Sequence, residues 1–225
     1  MPDSDLPTLD PSRGTWLVNT AYRRDFRERA AGIRDGGSWK LERAQHFEEP
    51  ANRSPSREAL RRGDWETSLR LLEDRRESLL NAWHEDQRRN YVFHRVRVVE
   101  WPLTPYVQWE LHSLRQQSEY GVPVRVISDA ADAVREQESG QHLPEIVTHE
   151  GSALHHVQYS EAGDPQGAYL FTDPAVVGPW EDYIKRLFET GEDVRTYVER
   201  EVAPLPPPRL TMAGTQAADM EHRTR

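Results

Sequence analysis

The 225-residue chain contains no cysteine. This absence excludes disulfide bonds, thiol catalysis, thiolate metal ligands and cysteine redox sensing. No run approaches the roughly 20 apolar residues that a membrane span needs. The first residues, MPDSDLPTLD, lack the basic and apolar regions of a secretory signal. We therefore expect a cytoplasmic protein with no membrane partner.

A strong excess of positive charge is also lacking, since the net charge is -9. Residues 11–99 carry 19 Lys and Arg against 14 Asp and Glu, whereas residues 100–225 carry 10 against 21. Binding to phosphate backbones needs a concentrated positive surface. The acidic balance therefore argues against direct binding of nucleic acid, although the first of these two parts is itself basic.

Composition divides the chain into one domain and two tails. Residues 1–12 contain three Asp, three Pro and little that packs, so we expect a disordered tail there. Residues 204–225 begin with PLPPPR and then lose hydrophobic periodicity, which predicts a second, Pro-rich disordered tail. Residues 13–203 hold all seven Trp and all eight Tyr of the chain and are predicted to form a single α/β domain.

The segment 91–127 predicts a strand, a helix and a second, parallel strand. Its first nine residues alternate with a period of two, so Arg95 and Arg97 lie on the same face of the strand. Thr104 caps the predicted helix and Gly121 ends it before the next strand. Similar signals predict further elements: helices at 21–34 and 65–87, a strand at 39–42, a hairpin at 146–159, a strand at 168–172 and a helix after Asp173. The predicted fold is a mixed twisted sheet with flanking helices.

The same residues resemble an uncharacterised domain family of high-GC Gram-positive bacteria. The similarity covers roughly residues 20–190 and depends on the sequences WKLE at 39–42, RVRVV at 95–99, PL at 102–103, Tyr106, WE at 109–110, Gly121 and VRV at 124–126. Members of that family are often encoded beside helix-turn-helix regulators and small acidic proteins. The resemblance implies a non-enzymatic regulatory accessory that binds such a protein partner.

The order of elements also resembles one half of a phospholipase D-like fold. Catalysis in that superfamily uses a His nucleophile followed two residues later by Lys. The corresponding hairpin here has His155, His156, Val157 and Gln158, with no Lys after either His. The departure argues against phosphodiesterase activity, and we predict no catalytic residues and no cofactor.

Five polar residues form the predicted ligand site: Glu42, Arg95, Arg97, Tyr106 and Glu110. Two guanidinium groups beside a phenol suit a phosphate or carboxylate, which makes a small anionic ligand one interpretation. A structural network of ion pairs that ties the helix to the sheet is the other, and it is the simpler one. Unpaired arginines at a pocket would favour the ligand, and closed pairs would favour the network.

The residues suggest three further interpretations. Trp109 lies off the apolar stripe of its helix, which predicts an exposed interface residue; packing on the N-terminal helix is the equal alternative. His149 and His156 meet across the predicted hairpin, but their spacing matches no metal signature, and we predict no metal site. Tyr91 and Phe93 between arginines suggest an RNA-binding sheet face, although a strand covered by a helix explains them more simply.

Overall fold

The central feature of the protein is one eight-stranded mixed sheet, seen in a computed structural model that describes residues 6–48, 54–128 and 143–210. The strands are β1 (Thr15–Val18), β2 (Gly36–Glu42), β3 (Tyr91–Val99), β4 (Val124–Ser128), β5 (Ile146–His149), β6 (Ala153–Tyr159), β7 (Pro165–Phe171) and β8 (Glu192–Asp193). Their order across the sheet is β1-β7-β6-β5-β2-β3-β4-β8. The predicted mixed α/β class is confirmed.

The strand order divides the sheet into a parallel centre and antiparallel flanks. Strands β2, β3 and β4 run parallel, whereas β5, β6, β7 and β1 continue the sheet antiparallel on one side. Parallel neighbours need a crossover connection, and the one between β3 and β4 is the predicted helix. In this register Glu42 of β2 lies opposite Arg97 of β3.

Seven helices are present among the described residues: α1 (Asn19–Gly32), α2 (Pro55–Arg61), α3 (Trp65–Glu73), α4 (Arg76–Arg89), α5 (Pro105–Glu119), α6 (Pro174–Thr190) and α7 (Val194–Tyr197). The last runs into a π-helical turn, Val198–Val202. Side-chain caps fix the starts of the two longest, since Thr104 accepts the Val107 N–H and Asp173 accepts the Ala175 N–H. Within the described ranges, no helix is both long and apolar enough to cross a membrane.

The alternation of β3 supplies two hydrophobic cores, one on each face of the sheet. Val96 and Val98 pack in the core that α6 covers, whereas Val99 packs in the core that α5 covers. Arg95 and Arg97 share the face of Val99 by the period of two. The arginines therefore point into the layer between sheet and α5.

Two element boundaries differ from the sequence prediction. The single helix predicted at 65–87 is two helices, because the Arg75 N–H bonds to the Leu72 carbonyl three residues back and tightens the chain there. The glycines at 36 and 37 begin β2 instead of only ending α1. A Cβ on Gly37 would lie 2.3 Å from the Val92 carbonyl oxygen of the neighbouring strand, which explains the glycine.

Parts of both predicted tails contact the rest of the domain. Leu6 and Leu9, in the predicted first tail, pack against the core under α6. In the predicted Pro-rich tail, the Pro206 carbonyl accepts a hydrogen bond from the Gln108 side chain of α5. The remaining parts of the two predicted tails, 1–5 and 211–225, lie outside the described residues.

The prediction that Trp109 is exposed is wrong. Its side chain is 7% exposed and belongs to the core under α5. The indole N–H donates to the Ser56 hydroxyl at the start of α2 at 2.8 Å. Helix α2 therefore covers a flank of α5 that the apolar stripe of α5 alone leaves open, and the buried Trp109 is unavailable as an interface anchor.

Candidate functional site

The five residues of the predicted ligand site lie together on the α5 face of the sheet. Glu42 ends β2, Arg95 and Arg97 lie side by side on one face of β3, and Tyr106 and Glu110 occupy the first turns of α5. The parallel register of β2 and β3 brings Glu42 next to the arginines, and the short connection after β3 returns α5 over them. The five residues, which lie on three different elements, are therefore brought together in space.

Arg97 is fully buried and enclosed by acceptors. Its Nε donates to Glu110 Oε2 at 2.8 Å. Its other nitrogens donate to the carbonyls of Ala44 at 2.7 Å, Val98 at 2.8 Å and Glu42 at 3.3 Å. A buried guanidinium with this many acceptors is a structural tie between the end of β2, β3 and α5.

Arg95 is paired as well, but it keeps some exposure. Its Nε and Nη2 donate to Glu42 Oε2 at 2.9 and 2.7 Å, and its Nη1 donates to Gln117 Oε1 at 2.8 Å. Lys40 Nζ donates to the other oxygen of Glu42 at 2.5 Å. Burial opposes ionisation of Glu42, but Arg95 and then Lys40 outweigh it and lower the pKa of that carboxyl to about 2.

A cleft of about 330 Å³ opens beside these pairs. It is lined by residues from α1, β2, β3, the segment after β2, α5 and the strands β6 and β7: Tyr22, Arg23, Phe26, Arg27, Lys40, Glu42, Phe47, Glu48, Arg95, Tyr106, Glu110, Tyr159 and Pro165. Four of the five predicted ligand residues border it. Arg97 lies behind Glu110 and does not.

The carboxylates of the cleft are already engaged by cations or hydroxyl groups. Both oxygens of Glu42 bind cations, and Glu110 binds Arg97 through one oxygen and the Tyr106 hydroxyl through the other. One oxygen of Glu48 contacts His46, and the other contacts Arg61. The carboxylate oxygens that line the cleft therefore already accept hydrogen bonds from other protein groups.

Donor groups of the cleft remain available. Arg95 has five N–H groups and Lys40 three, of which the described contacts use three and one. The hydroxyls of Tyr22 and Tyr159 make no hydrogen bond within the described ranges. Burial raises the pKa of Tyr22 to about 12 and that of Tyr159 still further, so both phenols keep their protons at neutral pH.

The sequence did not single out several of these lining residues. Tyr22 and Phe26 lie four residues apart in the helix predicted at 21–34, a spacing that indicates a helix but no ligand site. Lys40 lies two residues before Glu42, on the same face of β2. The alternation of side chains along β2 could therefore have placed Lys40 at the site from the sequence. Tyr159 comes from a strand more than a hundred residues later, and no local pattern places it here.

The imidazoles of the hairpin form a hydrogen-bonded chain, and the pair differs from the prediction. His149 Nε2 lies 3.1 Å from His155 Nδ1, whereas His156 lies opposite Ile146 and faces the other side of the sheet. The register places His149 diagonally across from His155, on the same face. The chain extends from the Ser38 hydroxyl, 3.1 Å from His149, to Asp25 of α1, 2.9 Å from His155.

The hydrogen-bonded imidazoles of His149 and His155 are buried, and both are electrically neutral at neutral pH. Burial lowers the pKa of His149 to about 3 and that of His155 to about 4. The nitrogens bond to one another in sequence and do not converge on one point. Across the described ranges, no group of three or more His, Asp or Glu side chains is arranged to hold a metal ion.

The aromatic and arginine face of β3 is covered. Tyr91 is 6% and Arg97 0% exposed, and the ring of Phe93 meets Phe26 of α1 at 6.3 Å. The Arg89 guanidinium of α4 lies 4.6 Å from the centre of the Tyr91 ring, and Arg97 is bonded to Glu110 of α5. Stacking of bases needs accessible rings, and Tyr91 offers little exposed surface for it.

Glu145, just before β5, is a carboxyl with an unusual environment beside the cleft. Its Oε1 accepts the backbone N–H groups of Arg43 and Ala44. Burial, and then repulsion by the Glu42 carboxylate, raises the pKa of Glu145 to about 7. This residue holds the chain that leaves β2 and is half-protonated near neutral pH.

Comparisons with known proteins identify a family for most of the chain. A family model described as "Domain of unknown function (DUF6879)" matches residues 24–199, which include all five predicted ligand residues. No curated protein matches the chain. Among solved structures, TrmBL2, an archaeal chromatin protein with a novel mode of DNA binding, is similar with a TM-score of 0.44 and 8% identity. The similarity covers 84% of this chain and 57% of that one, so the chain spans little more than half of that protein's length.

Replacing Arg97 by Met tests the structural tie. The substitution leaves the buried Glu110 carboxylate without its cation, so we expect the free energy of unfolding to fall by about 3–5 kcal/mol in urea titrations. Arg200→Met is the matched control, because Arg200 pairs with Glu192 at 2.6 Å on the surface and should cost less than about 1 kcal/mol. Equal losses in the two variants would contradict the structural role of Arg97.

Replacing Glu145 by Gln tests the raised pKa. Unfolded Glu145 ionises near pH 4.5 and folded Glu145 near pH 7, so this residue makes the fold less stable as pH rises between those values. The slope is at most about 1.4 kcal/mol per pH unit. We expect Glu145→Gln to unfold at a higher urea concentration than the unmodified protein at pH 8, with a smaller difference at pH 5.

Glu42→Gln is a second test of this pH dependence. The Glu42 carboxylate is one of the causes that raise the pKa of Glu145, so removing its charge should lower that pKa. We therefore expect the free energy of unfolding to fall less steeply between pH 5 and 8 in Glu42→Gln than in the unmodified protein. A Glu145→Gln advantage that does not grow between pH 5 and 8 would contradict the raised pKa of Glu145.

Proposed function

The chain belongs to the family described as a domain of unknown function (DUF6879), and we propose that it is a non-enzymatic domain that binds a small anionic ligand in the cleft between α1 and α5. The observation that carries the proposal is the imbalance of donors and acceptors in the cleft. The carboxylates of the cleft already accept hydrogen bonds from protein groups, whereas nearby N–H and O–H groups have hydrogens that bond to no protein acceptor within the described ranges. A ligand that supplies oxygen acceptors and negative charge matches this surface.

The charged side chains at the mouth of the cleft also favour a negatively charged ligand. Glu42 is shared by two cations, Arg95 and Lys40, which leaves an excess of one positive charge. Arg23 and Arg27 on α1 also border the cleft, and within the described ranges neither pairs with a carboxylate. The local field thus favours an anion although the whole chain is acidic.

Binding is proposed in preference to turnover because the cleft groups hold fixed protonation states at neutral pH. Glu42 is ionised and paired, and the Tyr22 phenol is neutral. General acid–base catalysis favours a group whose pKa lies near the working pH. Glu145 has such a pKa, but its Oε1 is committed to backbone amides and it does not line the cleft.

The regulatory accessory role is a second candidate, and a surface feature favours it. Strand β1 forms an edge of the sheet, with Trp16 42% and Val18 56% exposed on the same side. Exposed apolar residues on an edge strand are typical of a surface that receives a partner. We propose a helix-turn-helix regulator or a small acidic protein as the partner, in the cytoplasm of a bacterium. The half-phospholipase-D-like topology remains part of this proposal.

Calorimetric titration and thermal unfolding with inorganic phosphate, succinate, citrate and benzoate test the proposed ligand class. At a hundred times its dissociation constant, a ligand stabilises the fold by about 2.7 kcal/mol, which corresponds to about 5–11 °C in Tm for a chain of this size. We expect at least one of these anions to bind and raise the Tm saturably. The effect should disappear in Lys40→Met.

Lys185→Met is the matched control for that titration. Lys185 lies on α6, outside the cleft, and forms an ion pair with Glu181 as Lys40 does with Glu42. The control should retain the full response. Absence of any response to all four anions, or a response that survives in Lys40→Met, would overturn the proposed function.

Affinity capture from the native host tests the accessory role. The tagged protein should recover a helix-turn-helix or small acidic protein in stoichiometric amount, and Val18→Ser should abolish recovery without lowering the Tm. Leu80→Ser, at a residue 40% exposed on α4, is the control and should capture normally. Recovery of the protein alone, or equal recovery by the two variants, would count against a partner at β1.

A further inference from the structure

The cleft lies between two separate aromatic walls. On the α1 side, the rings of Tyr22 and Phe26 meet edge to face, with their centroids 6.3 Å apart. On the other side, Phe47 contacts Tyr106 at 5.7 Å and Tyr159 at 4.7 Å. Within the described ranges, no ring contact joins Tyr22 or Phe26 to the rings of the other group. The open volume therefore separates two aromatic surfaces.

Contacts from behind hold the α1 wall in place. Tyr22 packs against the His155 ring at 5.1 Å, and Phe26 packs against His149 at 5.2 Å and Phe93 at 6.3 Å. The buried hydrogen-bonded chain fixes both imidazoles. The ring positions of this wall are thus set before any ligand enters.

The opposite wall is supported in the same way. Tyr106 donates its hydroxyl to Glu110 and meets the buried Trp109 ring at 5.7 Å, and the Arg57 guanidinium lies 4.6 Å from the centre of its ring. Phe47 is 6% exposed. Walls that need no rearrangement favour a rigid ligand of matching shape.

We infer that the ligand is a planar aromatic acid, and this inference rests on the proposed function. The ring of the ligand lies between the two walls, and its acidic group meets the free N–H groups of Lys40 and Arg95. The volume of about 330 Å³ accommodates one or two fused rings with an acidic substituent. Contacts between aromatic rings stabilise a complex by more than the buried area alone accounts for. The walls therefore favour a flat ring, and the N–H groups favour a negative charge.

Matched pairs of probes with the same charge test the planarity. Calorimetric titration compares benzoate with cyclohexanecarboxylate, and 2-naphthoate with decahydro-2-naphthoate, at constant pH and ionic strength. Each pair keeps the carboxylate and the carbon skeleton and replaces the flat aromatic ring system by a puckered saturated one. We expect at least one planar member to bind about tenfold more tightly than its saturated partner.

Two variants assign that preference to the walls. Tyr22→Leu removes a ring from the α1 side, and Phe47→Leu removes one from the opposite side, in each case leaving an apolar side chain. The preference for the planar probe should fall to about threefold or less in either variant. Because Phe47 is also a core residue, Tyr22→Leu is the primary variant, and the comparison in the unmodified protein needs no variant at all.

The outcomes separate this inference from the proposed function. If planar and saturated probes bind equally, or if phosphate, succinate or citrate binds through Lys40 and neither pair does, the planar ligand is wrong and the anion site stands. A planar preference that persists in both ring variants also overturns the inference. If phosphate, succinate, citrate and benzoate all fail to bind, the proposed function itself fails, and this inference fails with it.

Discussion

The buried guanidinium of Arg97 is the constraint on which the rest of the site depends. A charge removed from water must be met by acceptors on every side, and here they come from Glu110 on α5, Val98 on β3, and Glu42 and Ala44 at the exit of β2. Satisfying one side chain therefore fixes the angle of a helix and the path of a connecting segment. That segment carries Phe47 and Glu48, so the same constraint places one wall of the cleft.

The structural network and the proposed ligand site are two consequences of one arrangement. Arg97 lies entirely inside and serves the fold, whereas Arg95, two residues earlier on the same face, reaches the cleft with N–H groups to spare. Closed pairs were expected to favour a scaffold, and unpaired arginines a ligand. The pairs are closed, yet they engage the Glu42 and Glu110 carboxylates and leave N–H groups of Arg95 and Lys40 unused, which is the basis of the proposed anion site.

Local pattern was sufficient for much of the fold and for the centre of the site. Alternation in β3 and the caps at Thr104 and Asp173 predict the central elements, and adjacency of consecutive parallel elements brings Glu42 to Arg95 and Arg97. Burial of Trp109 was missed because α2, which covers it, comes from a distant part of the chain. The His149 and His155 pair was missed because the hairpin register decides which imidazoles share a face. Such long-range contacts leave no periodic signal.

The hydrogen bonds among Asp25, His155 and His149 help to fix the position of helix α1 beside the cleft. None of the side chains of α1 is fully buried, and the rings of Tyr22 and Phe26 are only half-buried, so apolar burial alone does not fix its position. Asp25 instead bonds to His155, and the edges of Tyr22 and Phe26 meet the two imidazoles. Hydrogen bonds and edge-to-face contacts are directional, whereas apolar packing tolerates sliding. Because both imidazoles stay neutral at physiological pH, this attachment does not change with protonation there. The wall that α1 presents to the cleft is accordingly held in a defined position on the sheet, which is what the inferred selection of a planar ligand requires.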